Sequence, residues 1–287
     1  MNSETITEIT VRVMETSDIG AGMRLKEAAG WNQTEQDWRR LLALEPVGCF
    51  VACEGGRVCG TVTTLRYGMR FGWIGMLLTD PDSRRRGIGT RLLHEAVAYL
   101  ECKGVETLRL DGTPMGYHLY LRHGFQDEYE VQRWEGISRA QMHSGLPPLQ
   151  EQDLEAVCTL DCRIFGADRS HLLSSLWREN PSCSAVAHSA GTPAGFVLWR
   201  PGTRAWYLGP CSANSFEITE RLLAEMLSRV AGEPVFLDIC TKNPGARELL
   251  EPLKFKYQRS LVRMYRGPHP CPGEPHSVFA IAGPELG

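Results

Sequence analysis

Trp73-Ile-Gly-Met-Leu-Leu-Thr-Asp-Pro-Asp-Ser-Arg-Arg-Arg-Gly-Ile-Gly-Thr-Arg-Leu-Leu93 is the stretch on which the reading of this chain turns. An apolar run over 73–79 reads as a strand that Asp80-Pro81-Asp82 ends. A basic, glycine-bearing turn follows, and an amphipathic helix starts at once, with Ile88, Leu92, Leu93, Ala96, Val97 and Leu100 on one face. The first turn of a helix leaves backbone N–H groups unbonded and carries partial positive charge. Gly87 and Gly89 remove side chains that would block an approaching phosphate, so the turn can cradle a pyrophosphate. Arg84, Arg85, Arg86 and Arg91 add charge there. Neither a Walker loop nor a dinucleotide fingerprint is present, since the GK[ST] and GxGxxG patterns are absent from this turn. On residue chemistry alone, a solvated basic turn before a helix stays open as the alternative.

Working outward, helices are expected over 18–29 and 33–44, and two strands over 49–53 and 57–66 around Glu54-Gly55-Gly56. Downstream, Gly104 is a plausible helix stop. A short strand follows over 107–110, then a short helix over 118–122 and a strand over 125–134. Ser144-Gly-Leu-Pro-Pro148 interrupts this pattern and is the natural linker.

Beyond the linker the plan repeats. At an offset of about 130 residues, the helix positions become Ile218, Leu222, Leu223, Met226, Leu227 and Val230, all apolar. Asp111 falls near Asp238, Phe125 on Phe255 and Arg133 on Arg263, and Gly60 matches Gly195 at a slightly different offset. The expectation is two copies of one α/β domain, over 1–143 and 144–287. The second copy lacks the basic turn: Arg84, Gly87 and Gly89 map to Asn214, Glu217 and Thr219, and Tyr120 to Leu250. Glu251-Pro252 predicts a shortened or bent last helix there, and 278–282 predicts an edge strand.

The Arg84-x-x-Gly87-x-Gly89 pattern after such a strand resembles the acyl-CoA-binding motif of the GNAT superfamily of N-acetyltransferases. Leu119-Tyr-Leu-Arg-His-Gly-Phe125 is similar to that family's Tyr-x-x-x-Gly-Phe segment. The likeness covers most of 8–137, with a weaker copy over 146–266, and points to a tandem subgroup with a degenerate second copy. It implies two domains, each a mixed, mostly antiparallel, splayed sheet flanked by helices. It further implies that acetyl-CoA is the cofactor, its pyrophosphate on backbone N–H groups of Arg84, Arg85, Arg86, Gly87, Ile88, Gly89 and Thr90. The acyl arm would lie along Met76, Leu77, Leu78 and Thr79. Tyr120 would be the general acid that protonates the departing thiolate, with Tyr117 as fallback. An amine arrives protonated and must lose its proton; Asp111 is a candidate base, with an Asp111–Arg109 pair as the plainer reading. Trp31, Asn32 and Gln33, with Tyr67, Arg70 and Trp73, are expected to frame the acceptor, a small-molecule primary amine. For Asn32 the plainer reading is a cap on the next helix. The second copy is expected to cover the acceptor cleft.

The bulk composition agrees with a soluble, two-domain protein of 287 residues, 43% hydrophobic and 23% charged. A net charge of −3 gives no general attraction to nucleic acid or anionic membrane. Residues 1–10 are polar and acidic, unlike a secretory signal, and no apolar run is long enough to span a membrane. Ten scattered cysteines without a CxxC pair read as reduced thiols of a cytoplasmic protein, and Cys158 with Cys162 lacks the second pair a metal site needs. No metal and no nucleic-acid partner is expected. The competing reading is a non-catalytic acyl-CoA sensor or regulatory module.

Overall fold

The computed structural model describes residues 8–139, 144–268 and 272–287. Residues 1–7 of the N-terminal segment and Cys271 lie outside them. Packing divides the chain into two compact units, residues 1–108 and 109–287.

The first unit is an antiparallel sheet with helices. Strand β1 (Ile9–Val13) pairs with β2 (Phe50–Glu54), β2 with β3 (Arg57–Tyr67), and β3 with β4 (Phe71–Thr79). Helices α1 (Ile19–Ala28) and α2 (Glu35–Leu44) connect β1 to β2, and α3 (Ile88–Cys102) follows β4. The short β1 alternates Ile9, Val11 and Val13 with Thr10 and Arg12, but its five residues are only half-buried or exposed, and it is a strand the sequence analysis did not assign. Helix α2 starts at Glu35, capped by Thr34, whose hydroxyl accepts from the Asp37 amide at 3.4 Å while Asp37 accepts from the Thr34 amide at 2.7 Å. The cap is therefore Thr34 rather than Asn32, because the helix starts at Glu35 and the reciprocal box closes between Thr34 and Asp37.

Helix α3 lies on β3 at Gly60, where a Cβ would stand 2.9 Å from both the Ile88 and Leu92 side chains. The second unit repeats this contact: at Gly195 a Cβ would stand 2.6 Å from Ile218 and 3.1 Å from Leu222. The pairs matched in sequence are thus matched in packing.

Strand β5 (Thr107–Gly112) crosses the division, and the second unit holds α4 (Tyr117–Arg122), β6 (Gln126–Ile137), α5 (Leu154–Phe165) and α6 (Ser170–Glu179). Then come β7 (Ser184–Ser189), β8 (Thr192–Arg200), β9 (Trp206–Ala213), α7 (Phe216–Arg229) and β10 (Pro234–Cys240). Helix α8 (Ala246–Leu250), β11 (Lys256–Arg266) and β12 (Val278–Ala280) complete it, α8 stopping just before Glu251-Pro252. Its strand order is β5-β11-β6-β10-β12-β9-β8-β7. Strand β6, the last of the first sequence copy, is paired on both edges by strands of the second, β11 and β10. This is why the division by packing falls at Leu108/Arg109.

β12 is an interior strand and not the expected edge. It pairs with β10 at Ile239↔Ala280 and with β9 at Ser212↔Val278 and Cys211↔Ala280. Strands β9 and β10 pair directly, in parallel, at Trp206–Leu208 with Val235–Leu237, and beyond that point β12 stands between them. Phe279 and Ala280 are fully buried in the core under α7.

Candidate active site

The expected phosphate turn has the geometry that cradling an anion requires. Arg85 and Gly87 take left-handed backbone conformations, φ 62° and 78°, which fold the chain back so that α3 begins at Ile88 with Gly87 as its N-cap. Arg91 is the first residue to bond back, its amide on the Gly87 carbonyl at 3.0 Å. Ile88, Gly89 and Thr90 precede it and so have no intrahelical acceptor for their N–H groups. A Cβ at Gly87 would meet nothing within 4 Å, so the space above the turn is open.

The arginines divide. Arg84 and Arg85 are exposed. Arg86 is committed to Glu54, with Nη1 on Oε2 at 2.7 Å and Nη2 on Oε1 at 2.5 Å, a contact that holds the carboxyl below its usual range. Arg91 donates to the Ile9 carbonyl at 2.8 Å. Two of the four charges expected at the turn are therefore engaged elsewhere in the first unit.

Asp80, expected to be a turn residue only, is an anchor. It is 5% exposed and accepts from Arg24 Nη1 at 2.7 Å and Arg57 Nη2 at 2.9 Å, while its other oxygen accepts from the Asp82 amide at 3.3 Å. Burial would raise its carboxyl, but the hydrogen bonds and charges of these partners hold it below the ordinary value. The exit of β4 is thereby tied to α1 and to the β2–β3 turn, which fixes where the phosphate turn starts.

Along β4 the ladder to β3 breaks. The register steps from Thr61↔Leu78 to Thr63↔Gly75, and Met76 takes φ 48° while its carbonyl accepts from the Thr61 hydroxyl at 2.8 Å. Met76 and Leu78 are buried; Leu77 and Thr79 are half-buried. The counterpart in the second unit is a break in β9: Val197 pairs with Cys211 and Trp199 with Leu208, so Gly209 and Pro210 together stand opposite Leu198. Counting back from Thr79 and Ala213, each paired to its matched glycine, puts Pro210 where Met76 stands. Pro210 has no N–H to offer a ligand. Gly209 lies against β12's extension, where a Cβ would be 1.9 Å from the Ile281 carbonyl.

In the second unit, Tyr120 is 8% exposed, its ring edge-on to Phe125 at 6.1 Å, and its hydroxyl makes no hydrogen bond among the described residues. Burial pushes its phenol well up, so the proton is held through the neutral range. Tyr117, the fallback acid, is exposed at its hydroxyl and donates to Asp127 Oδ2 at 2.9 Å. Asp111 is buried, and both its oxygens accept from Arg263, Nε and Nη2 each at 2.9 Å. Burial raises the Asp111 carboxyl and Arg263 opposes it. The expected partner, Arg109, bonds Glu128 Oε1 at 3.0 Å. Sequence spacing on one strand suggested Arg109; the partner from a distant strand was invisible to it.

Of the expected acceptor frame, Trp31 and Gln33 are half-buried and Asn32 is 5% exposed. Tyr67 and Trp73 are core residues, 3% and 0% exposed, rather than walls open to an acceptor. Among the described residues, no group of three or more His, Cys, Asp or Glu could hold a metal ion, and no helix is long and apolar enough to cross a membrane.

Comparison with known proteins agrees with this anatomy. Residues 22–125 match the model of the acetyltransferase (GNAT) family, and residues 157–280 match that of an acetyltransferase (GNAT) domain. A holothin acyltransferase of Pseudoalteromonas sp. (strain SANK 73390) is 28% identical over 91% of this chain and 88% of its own. An uncharacterized N-acetyltransferase of Bacillus subtilis (strain 168) is 23% identical over 81% and 83%. Among solved structures, a Pyrococcus horikoshii protein provisionally assigned as an acetyltransferase superposes with a TM-score of 0.82 at 22% identity, covering 100% of this chain and 99% of its own. A tandem GNAT protein from the clavulanic acid biosynthesis pathway gives 0.62 at 16% identity, covering 92% and 99%. With one match in each half and the fold shared along its whole length, the chain belongs to the GNAT acetyltransferase family and carries two GNAT domains in tandem.

Proposed function

We propose that the chain is an N-acetyltransferase that moves an acetyl group from acetyl-CoA to a primary amine of a small molecule, in its first sequence copy, 1–143. The observation that carries this is the turn at 84–90: an open, left-handed, glycine-capped helix start with free N–H groups and two uncommitted arginines. Such a site suits a diphosphate. The likeness to a holothin acyltransferase supports acyl transfer as the reaction class.

In this reading the backbone from Arg84 to Thr90 holds the pyrophosphate. Main-chain groups of Met76, Leu77, Leu78 and Thr79, at and beside the bulge, orient the acyl arm. Acetyl-CoA supplies an activated thioester. A main-chain donor near Leu77 or Leu78 stabilises negative charge developing on the acyl oxygen. Tyr120 Oη keeps its proton at neutral pH and gives it to the sulfur that leaves. Asp111 serves as a structural anion because Arg263 occupies both its oxygens, so the ammonium proton leaves through water. Trp31, Asn32 and Gln33 contribute to the acceptor side, and the copy over 144–287 acts as scaffold and cover. The protein acts in the cytoplasm. One cofactor binds per chain, because in the second copy β12 runs along Cys211 and Ser212, the counterparts of Leu77 and Leu78, and Pro210 stands where Met76 does.

Calorimetric titration of CoA and acetyl-CoA into the wild type and Gly87→Glu tests this. The expectation is one site per chain in the wild type and none in the variant, followed by release of free thiol on screening amines. Binding unaffected by Gly87→Glu removes the proposed site; binding without turnover across a broad amine panel leaves a sensor.

A further inference from the structure

Arg133 and Arg259 stand opposite each other on β6 and β11, and Asp238 stands opposite Arg133 on β10. Directly paired residues share a face of a sheet, so three ionic side chains meet on one side of the second unit. None of them belongs to the proposed reaction site. Asp238 is already saturated: Arg133 donates to its two oxygens at 2.9 and 2.6 Å, and the Tyr207 hydroxyl adds a third bond at 3.0 Å. Glu135, the next carboxylate along β6, takes the Gln258 amide. Arg259 is left over. Its Nε is buried without a hydrogen-bond partner, and no hydrogen bond or ion pair reaches its guanidinium among the described residues.

More positive charge converges here. The Arg133 and Arg204 guanidinium carbons lie 5.6 and 5.7 Å from the centre of the Phe236 ring. Burial, followed by the charge of Arg133, pulls Arg259 down to about 10; Asp238 opposes this and Arg204 adds to it. A half-buried cation whose nearest carboxylate is already bonded to another arginine is costly. Phe236 also lines an open cavity of about 370 Å³ with Ile137, Pro234 and Leu253, and charged residues of both signs border it: Arg139, Lys254 and Lys256, with Glu135. Apolar walls beside a few convergent polar groups are the usual make-up of a small-molecule site. Guanidinium forks match the two oxygens of a carboxylate.

We propose that this face of the second unit binds a small amphiphilic carboxylate, with its anionic head between Arg259 and Arg204 and its apolar body over Phe236 in the cavity. Phenylacetate is the probe, titrated into the full-length chain by calorimetry while arginine side-chain nitrogen–proton resonances are followed. Saturable binding at one site is expected, with the Arg259 Nε–H signal shifting. Losing a charge-assisted fork weakens binding by about tenfold or more, so Arg259→Gln and the uncharged analogue phenylacetamide should both show a loss of that size. Arg204 is an exposed residue between β8 and β9, so Arg204→Gln keeps the fold and should also weaken the complex, by roughly threefold or more. Affinity unchanged in both variants, equal affinity for phenylacetamide, or no saturation by about 50 mM overturns the proposal. So does displacement of phenylacetate by an equal concentration of inorganic phosphate, which would mark a bare anion site.

Discussion

Arg263 closes on Asp111 through two 2.9 Å hydrogen bonds across 152 positions of sequence. Arg133 closes on Asp238 in the same fork, across 105. The matched strands β6 and β11 of the two sequence copies thus each supply the arginine for the other copy's aspartate. The exchange follows from β6 lying between β10 and β11, and it makes the closing strands of the two copies mutually dependent.

Removing one member of such a pair leaves a buried charge uncompensated, at a cost of about 3–5 kcal/mol. Asp111→Asn and Asp238→Asn are each expected to lose about that much stability in urea unfolding. Replacing both partners with apolar residues, Asp111→Leu with Arg263→Met, should recover most of it. A loss under about 1 kcal/mol in the single variants would mean that solvent compensates the arginine and that the pairs do not hold the strands.

The glycine contacts give a matched pair of predictions. Gly60→Ala and Gly195→Ala each force a methyl against a helix side chain closer than 3.0 Å, and overpacking of this kind costs about 1–3 kcal/mol. Similar losses in urea unfolding are expected at both positions. A neutral effect at Gly195 with a large one at Gly60 would mean that the second copy tolerates a looser helix than its geometry implies.

Much of this architecture was legible in the residues, and what was not has physical causes. The repeat was legible because helix-face periodicity is local, and its paired residues, Gly60 with Gly195 and Ile88 with Ile218, make the same contacts in both units. The glycine-capped helix start at 87–88 was legible for a similar reason, since the glycines and the helix face are contiguous. The partners of Asp111 and of Arg86 were not, because strand neighbours distant in sequence choose them. Nor was the place of β12: the apolar run 278–282 cannot announce whether it lies at an edge or between strands. The bulge at Met76 leaves no compositional mark at all.

Asp80 predicts an acid-side effect. Its carboxyl is held below the ordinary value of 3.8, so the ionised form is favoured by folding. Its contribution is complete above that value and is lost as pH falls through the lower, folded-state value. Asp80→Asn should therefore flatten the fall in stability below about pH 4. At neutral pH it should cost about 1 kcal/mol, because Arg24 and Arg57 are largely solvated. It should also weaken CoA binding, since Asp80 sets the start of the phosphate turn. An unchanged acid limb in chemical unfolding would exclude Asp80 as the anchor.

Tyr120→Phe separates chemistry from packing. The hydroxyl makes no hydrogen bond among the described residues, so its removal should leave stability within about 0.5 kcal/mol and the KM for acetyl-CoA unchanged. If the phenol delivers the proton to the leaving sulfur, kcat should fall by about 100-fold or more. Burial raises the phenol above its ordinary value of 10.0, so the acid form persists and the wild-type kcat should show no Tyr120-linked decline up to about pH 10. A thiol-release assay across pH reads both effects. Full kcat in the variant would take the role from Tyr120, and since Tyr117 is bonded to Asp127, Tyr117→Phe would then decide whether that neighbour carries it.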